Sequence, residues 1–343
     1  MSRYAEAHKP ENITGPGDGR PTALQVLKDE GAEGKLAGKV IVITGTSSGI
    51  GIETARVLKL TGARLFLTAR NLDKAKTALG DVLEPGRAEL VEMDNTSLAS
   101  VRAAAADVLS RSGGQVNILI NNAGIMAVPT LQHTKDGFEM QFGVNHLSHF
   151  LFFNLLRPAL LASATPAFSS RVVNLSSSGH NVSPAMTETG DYNFEKAGAS
   201  GYNQWVAYGQ SKTANIHMAN EIERRYGSRG LHANSLHPGV IFTNLMQFMD
   251  PAQLVEMGKS DEARRMMKSV EQGAATTVWA AIGKEWEGKG GEFLADVGRT
   301  GPADVSIPEP MTRGGYASYA YNPEAEAKLW KDSLKMVGLE DDL

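Results

Sequence analysis

With 343 residues, a formal charge of −4, a pI near 6.1 and no cysteine, the chain is long enough for a sizeable core but offers no electrostatic case for nucleic acid or an anionic membrane. The missing cysteines exclude disulfides, thiolate metal sites and a cysteine nucleophile. No run of about 18 apolar residues occurs, so no membrane span is predicted, and the N-terminus, MSRYAEAHKPENITG, lacks the apolar centre of a secretory signal; a cytoplasmic protein is expected.

Residues 1–35 are polar and rich in Gly and Pro, with one short helix predicted over 23–30. They read as an arm that lies over the core or is partly disordered. The strongest signal follows, over residues 39–71. Val40, Ile41, Val42, Ile43 and Thr44 form a run too short for a helix and suited to a buried parallel strand. Gly45, Gly49 and Gly51 then mark a turn, and Ile50, Thr54, Val57 and Leu58 follow at helical spacing. A second apolar run over 64–69 closes a βαβ unit. A turn without Cβ atoms lets the backbone approach a pyrophosphate, whose charge faces the unpaired N–H groups of the helix N-terminus. The spacing is TGxxxGxG, not GxGxxG.

Strand-like and helix-like segments alternate from there. A third strand is predicted over 88–93, ending at Asp94, then a helix over 98–109 and a fourth strand over 116–120 that runs into Asn121-Asn122-Ala123-Gly124. A long helical stretch covers 138–161. A fifth strand over 171–175 leads into Ser176-Ser177-Ser178, a helix covers 208–226, and a sixth strand over 231–236 precedes His237-Pro238-Gly239. The last strand is predicted over 292–295. This alternation predicts an α/β protein with a Rossmann-type doubly wound parallel sheet. It forms a single dinucleotide-binding catalytic domain over 36–300, between the N-terminal arm (1–35) and a C-terminal extension (301–343). Ligands of such sheets sit at the carboxyl ends of the strands. Each polar cluster named above falls there or opens the next helix.

Tyr208 and Lys212 are four apart on a predicted helix and share a face. Ser177 ends the preceding strand, 31 residues upstream (208 − 177). A tyrosine hydroxyl titrates near 10 on its own, and a lysine ammonium close by lowers that value toward a useful range. Ser177 can donate a hydrogen bond to a carbonyl oxygen and polarise it for hydride attack. His146 and His149 have metal-compatible spacing but no third ligand, so they read as polar groups on a partly exposed helix, and no metal is expected.

The Gly turn, Asn121 to Gly124, Asn145, Ser177, Tyr208 with Lys212, and Pro238-Gly239 occur in an order that resembles the short-chain dehydrogenase/reductase family across residues 38 to about 300. YGQSKTAN and SLHPGV are similar to its retinol-dehydrogenase-like branch, which includes the oxidoreductase domain of the WW-domain oxidoreductase. The resemblance implies that Tyr208 is the general acid/base, that Ser177 holds the substrate oxygen and that Asn145 positions a water in a proton relay. Lys212 would bind the nicotinamide ribose and depress the Tyr208 pKa. It implies a cofactor site made by Gly45, Ser47, Ser48, Gly49, Ile50 and Gly51 at the turn and by Asp94 and Asn95 at the adenine. Asn121, Asn122, Ala123 and Gly124 would follow along the cofactor, with Tyr208, Lys212, Pro238, Gly239, Val240 and Thr243 toward the nicotinamide. Asn95 departs from the apolar residue common at that place.

The position about 20 residues after the turn chooses between the two nicotinamide cofactors, an acid meeting a ribose 2′-OH and an arginine a 2′-phosphate. Here it is Arg70 (70 − 51 = 19), with no carboxylate in Leu67-Thr68-Ala69-Arg70. NADP(H) is therefore expected in preference to NAD(H). The long gap before Tyr208 marks an insertion over 178–207, bearing Tyr192, Phe194, Tyr202 and Trp205, and the family places a substrate lid over 243–270. Met246, Met249, Met257, Met266 and Met267 in that lid, like the aromatic residues of the insertion, read equally as substrate wall or as core. The C-terminal tail is expected to pack on the fold or on a partner chain rather than contribute chemistry. The expectation is an oxidoreductase that interconverts a ketone or aldehyde and an alcohol on a largely apolar small molecule, with a homo-oligomer left open. The same fold acting as a C=C reductase or an epimerase/dehydratase, or as a non-catalytic nucleotide-binding scaffold, is the alternative. Tyr208 and Lys212 weigh against the scaffold.

Overall fold

The structure, a computed structural model, describes residues 2–196 and 198–341. Its strands in chain order are β1 (Val40–Ile43), β2 (Arg64–Ala69), β3 (Ala88–Glu92), β4 (Ile118–Asn121), β5 (Ser170–Leu175) and β6 (Leu231–His237). The short β7 (Val240–Ile241) and β8 (Met267–Lys268), then β9 (Phe293–Ala295) and β10 (Gly298–Arg299), complete the set. The main sheet runs β10-β9-β6-β5-β4-β1-β2-β3, parallel throughout except for β10. Strand order reverses between β1 and β4, and the crevice beyond their carboxyl ends is where such sheets bind ligand. β7 and β8 pair separately.

The period of two along β1 sends Ile41 and Ile43 to one face of the sheet and Val40 and Val42 to the other. Each face carries its own core. The principal helices are α1 (Ala23–Asp29), α2 (Ile50–Lys59), α3 (Leu72–Leu79), α4 (Leu98–Ser112), α5 (Ser148–Ser163), α6 (Gln204–Tyr226), α7 (Pro251–Lys259), α8 (Ala275–Ile282) and α9 (Pro323–Met336). Residues of α1, α2, α3 and α8 fill the Ile41 side, those of α4, α5, α6 and α9 the Val42 side. Side-chain caps set several starts: Ser97 accepts from Ser100 N–H, Asn203 from Trp205 and Val206, and Asn322, ahead of Pro323, from Ala325.

Two expectations shift here. The fourth strand begins at Ile118, not at 116, because Asn117 spends its side chain on Val40 N–H (2.9 Å) and so closes the sheet edge below the strand. The helix expected over 138–161 is broken: Gly143–Leu147 adopt π geometry before α5 resumes at Ser148. Such a turn inserts one residue and re-aims its side chains, and Asn145 sits inside it.

The N-terminal arm packs on the core. Ala23, Val26 and Leu27 are fully buried against α8 and α2, a contribution of roughly 1.5–3 kcal/mol for each large side chain. Arg20, itself buried, donates to the carbonyls of Gly15, Met266 and Met267, which ties the arm to the base of the segment before β8.

Candidate active site

The Gly turn is shaped by what a side chain would strike. A Cβ on Gly51 would lie 2.4 Å from the Gly45 carbonyl oxygen and 2.7 Å from Asn122 Nδ2. One on Gly45, whose φ is +72°, would lie 2.7 Å from Ala123 Cα. The floor beneath is fixed by Thr44, whose hydroxyl accepts from Asn122 N–H and Ala123 N–H at 2.9 Å each. Asn122 Nδ2 returns bonds to the carbonyls of Thr44 and Gly45. Helix α2 starts after Gly49 with no side-chain cap, so its first-turn N–H groups face the cleft. A pyrophosphate fits this cradle of bare backbone and uncapped helix end.

The turn lines a cleft of about 1430 Å³. Every cofactor candidate from Gly45 to Thr243 except Asn121 lines it, together with Ser177, Tyr208 and Lys212. Arg70 lines the cleft and is joined there by Lys74, four positions further on, which the sequence reading missed. Its only sequence signal was a second basic residue four positions after Arg70. Asp94 lines the cleft too, with its carboxylate bonded to Thr96 and paired with Lys135 at 2.8 Å, which hold its pKa below the usual carboxylate range against the cost of burial. Asn95 Nδ2 donates to Ser148 Oγ (2.7 Å).

Asn121 and Asn145 do not line the cleft. Asn121 donates to Asn174 Oδ1 across the sheet. Asn145 Oδ1 accepts from Ile125 N–H, and its Nδ2 donates to Ile125 O and Ser211 Oγ, each at 2.9 Å. It braces the chain behind Gly124, where a Cβ would come within 3.2 Å of Asn145 Oδ1 and 3.4 Å of Lys212 Nζ. His146 and His149 are fully buried, not partly exposed. His149 bridges Asn145 O (2.9 Å) and the Thr44 hydroxyl (2.8 Å), and burial pushes its pKa down to about 4; His146 bonds Ser333 Oγ and is pushed down to about 3. Neutral imidazoles suit both places. Among the described residues no group of acids and histidines could hold a metal.

Tyr208 and Lys212 project from α6, and Ser177 stands just beyond β5. Burial pushes the Tyr208 phenol up to about 12, and the Ser177 hydroxyl facing it pulls part of that back. Depression of the phenol by Lys212 is therefore not the dominant effect here. The ammonium lies 5.6 Å from the phenol ring centre, donates to the Leu175 carbonyl (3.1 Å), and is itself pushed down to about 8 by burial. Gly179 leaves room for the phenol ring, since a Cβ there would meet Tyr208 Cε1 at 2.6 Å.

The far end of the cleft is apolar. Met246 and Met249 come from the segment after Thr243, Trp205 from the insertion, Met126 from the β4 exit. The Met257 side chain lies outside the described residues. Met267, in β8, is buried. Of the insertion's aromatic residues only Trp205 faces the cleft: Tyr192 stacks on Phe142 (5.0 Å), Phe194 meets Tyr202 edge-on, and Tyr202 bonds Glu139. The C-terminal extension packs on the fold, with Tyr319 O and Ala320 O accepting from His217 and Asn220. Ile307, Met311 and Thr312 line the cleft, so the extension contributes a wall and not packing alone.

A doubly wound sheet with a glycine cradle at its switch point and a buried Tyr-Lys pair beside it defines a dinucleotide-dependent oxidoreductase class. A family model described as short chain dehydrogenase matches residues 39–189. The short-chain dehydrogenase/reductase prx1 of Penicillium roqueforti is 51% identical over 340 residues, 99% of this chain and 96% of that protein. Human retinol dehydrogenase 14 is 35% identical over 333 residues, 92% of this chain and 91% of that protein. A solved structure, the RhlG/NADP active-site complex of Pseudomonas aeruginosa, superposes with a TM-score of 0.60 at 25% identity, over 77% of this chain and 96% of that one. The chain belongs to the short-chain dehydrogenase/reductase family and is an oxidoreductase of that family, which uses nicotinamide cofactors.

Proposed function

We propose that the protein interconverts a carbonyl and an alcohol on a largely apolar small molecule, with NADP(H) preferred over NAD(H) and Tyr208 as general acid/base. The observation that carries this is the meeting, in one cleft, of the Tyr208 phenol, the Ser177 hydroxyl and Lys212 beside the glycine cradle. A nicotinamide held by these residues would supply or accept the hydride. Ser177 donates a hydrogen bond to the substrate oxygen and polarises it. Tyr208, kept protonated by burial, gives that oxygen its proton in the reducing direction. Lys212, held by the Leu175 carbonyl, would bind the ribose, and Asn145 holds the backbone of Ile125, which lines the cleft. The similarity to proteins named short-chain dehydrogenase/reductase supports the assignment, and the NADP complex of the Pseudomonas structure supports the cofactor.

Arg70 and Lys74 would share the 2′-phosphate, the guanidinium bidentately and the ammonium as a point charge. Comparing kcat/KM for both cofactors on the wild type and on Arg70→Asp tests this, along a ketone series of rising apolar bulk with the product identified. The expected result is reduction to the alcohol, an NADP preference lost in the variant, and rising kcat/KM with bulk. An NAD preference in the wild type removes Arg70 from the role, and falling kcat/KM along the series removes the apolar substrate.

The pH profile follows from the same site. Lys212 carries its charge below about 8 and loses it as pH rises through that value, while Tyr208, near 12, keeps its proton. Carbonyl reduction is expected to decline on the alkaline side of about pH 8, and Lys212→Arg should carry that limb upward. A flat profile to pH 10 in the wild type would detach Lys212 from the reaction.

A further inference from the structure

We propose that His180 is a positioning residue that joins the loop of Ser177 to the C-terminal wall of the substrate cavity, one ring nitrogen serving each. The proposal rests on the role assigned above to Ser177. After β5 the chain makes a tight helical turn, Ser178–Val182, with the Ser177 hydroxyl accepting from Gly179 N–H at 3.1 Å. His180 lies in that turn, has no exposed surface, and packs its ring on Phe293 (4.8 Å between centres). Its Nδ1 is 2.5 Å from the Ser177 carbonyl oxygen, and its Nε2 is 3.1 Å from Ala317 N. The carbonyl can only accept and the peptide N–H can only donate, so the ring must be neutral with its proton on Nδ1. Burial keeps it so, with a pKa near 4.

The two ends of this joint do different work. At the δ end, the Ser177 carbonyl takes both the ring N–H and the His180 backbone N–H (3.1 Å). That fixes the peptide carrying the hydroxyl opposite Tyr208. At the ε end, Ala317 closes the neck of a loop. Tyr316 N–H bonds Gly301 O and Ala303 N–H bonds Tyr316 O, so residues 304–315 leave and return at one point. The loop carries Ile307, Met311 and Thr312 into the cleft. Beyond the neck the chain is anchored to α6, by His217 on Tyr319 O and Asn220 on Ala320 O. Tyr319 also returns a hydroxyl to the His180 carbonyl at 2.7 Å. Ala317 N–H has no other acceptor than His180 among the described residues.

The δ and ε bonds can be cut separately. His180→Asn places an amide N–H where Nδ1 stood and leaves Ala317 unmet. His180→Gln places an acceptor near Nε2 and leaves the Ser177 carbonyl with the backbone N–H of residue 180 alone. Ala317→Pro removes only the peptide donor, at a φ of −66° that proline itself adopts. Steady-state kinetics with the best bulky ketone of the series, against a short ketone that cannot reach Met311, is the readout. His180→Asn and Ala317→Pro should raise KM for the bulky ketone about five- to ten-fold, the factor one net hydrogen bond carries, with kcat and the short-ketone KM within about two-fold. His180→Gln should lower kcat about ten-fold and leave KM within about two-fold. A role in packing alone would move kcat and KM together for both ketones, and that result overturns the proposal. So does an unchanged bulky-ketone KM in Ala317→Pro, which decides the matter if the histidine variants do not fold. Ser177→Ala is the separate control: if it stays active, the assignment of Ser177 fails, whereas an inactive Ser177→Ala beside unaffected His180 variants sinks the joint and leaves the assignment standing.

Discussion

Tyr208→Phe is expected to lower kcat by about 10²–10⁴-fold, the usual contribution of a positioned general acid/base, while cofactor affinity stays within about two-fold. The ring is 2% exposed and packs beside Gly179, Met126 and Met246. Phenylalanine keeps all of that and loses only the hydroxyl. The variant also leaves Lys212 on the Leu175 carbonyl, so the ribose end of the site is undisturbed. Lys212→Ala should injure both quantities, because one ammonium serves the ribose and the proton donor. Single-turnover rates with fluorescence titration of NADPH separate the two effects. Retention of more than about a tenth of wild-type kcat in Tyr208→Phe, against that expected range, removes the phenol from the proton step.

Gly51→Ala should weaken cofactor binding sharply. Its Cβ would stand 2.4 Å from a backbone oxygen and 2.7 Å from an amide that is already holding two carbonyls. Neither neighbour is the free end of a flexible side chain, so the turn itself must move. Overpacking of this kind costs about 1–3 kcal/mol, which corresponds to roughly a five- to 150-fold rise in Kd if it is drawn from the bound state. Gly19→Ala is the matched control, since a Cβ there meets nothing within 4 Å. Isothermal titration of NADP⁺ into both variants checks this; equal affinities would mean that the cradle does not hold the pyrophosphate.

The parts of the site legible in the sequence are those whose geometry is set by short spacing. The run from Val40 to Thr44, too short for a helix, marked a buried parallel strand. A helix's i, i+4 repeat put Tyr208 and Lys212 on one face. A glycine turn between a strand and a helix has few shapes, and strand ends in a parallel sheet face one way, so Asp94, Gly124, Ser177 and Pro238 could be gathered into one cleft before any coordinate was known. Burial was not legible in the same manner. His146 and His149 look like surface residues because their partners, Ser333 and Thr44, lie 187 and 105 positions away. The π turn at Asn145 leaves no mark in hydrophobic periodicity, since one inserted residue changes only the phase. The rise in the Tyr208 pKa is illegible for the same reason: its charge partner is four residues away, but its desolvation depends on the whole fold closing over it. The wall formed by Ile307 and Met311, and the joint at His180, exist only because the C-terminal extension returns to β5 across more than a hundred residues. Local spacing determines which chemistry a segment can carry, because covalent geometry fixes distances over one or two turns; which segments meet, and how dry the meeting place is, was decided by tertiary packing alone.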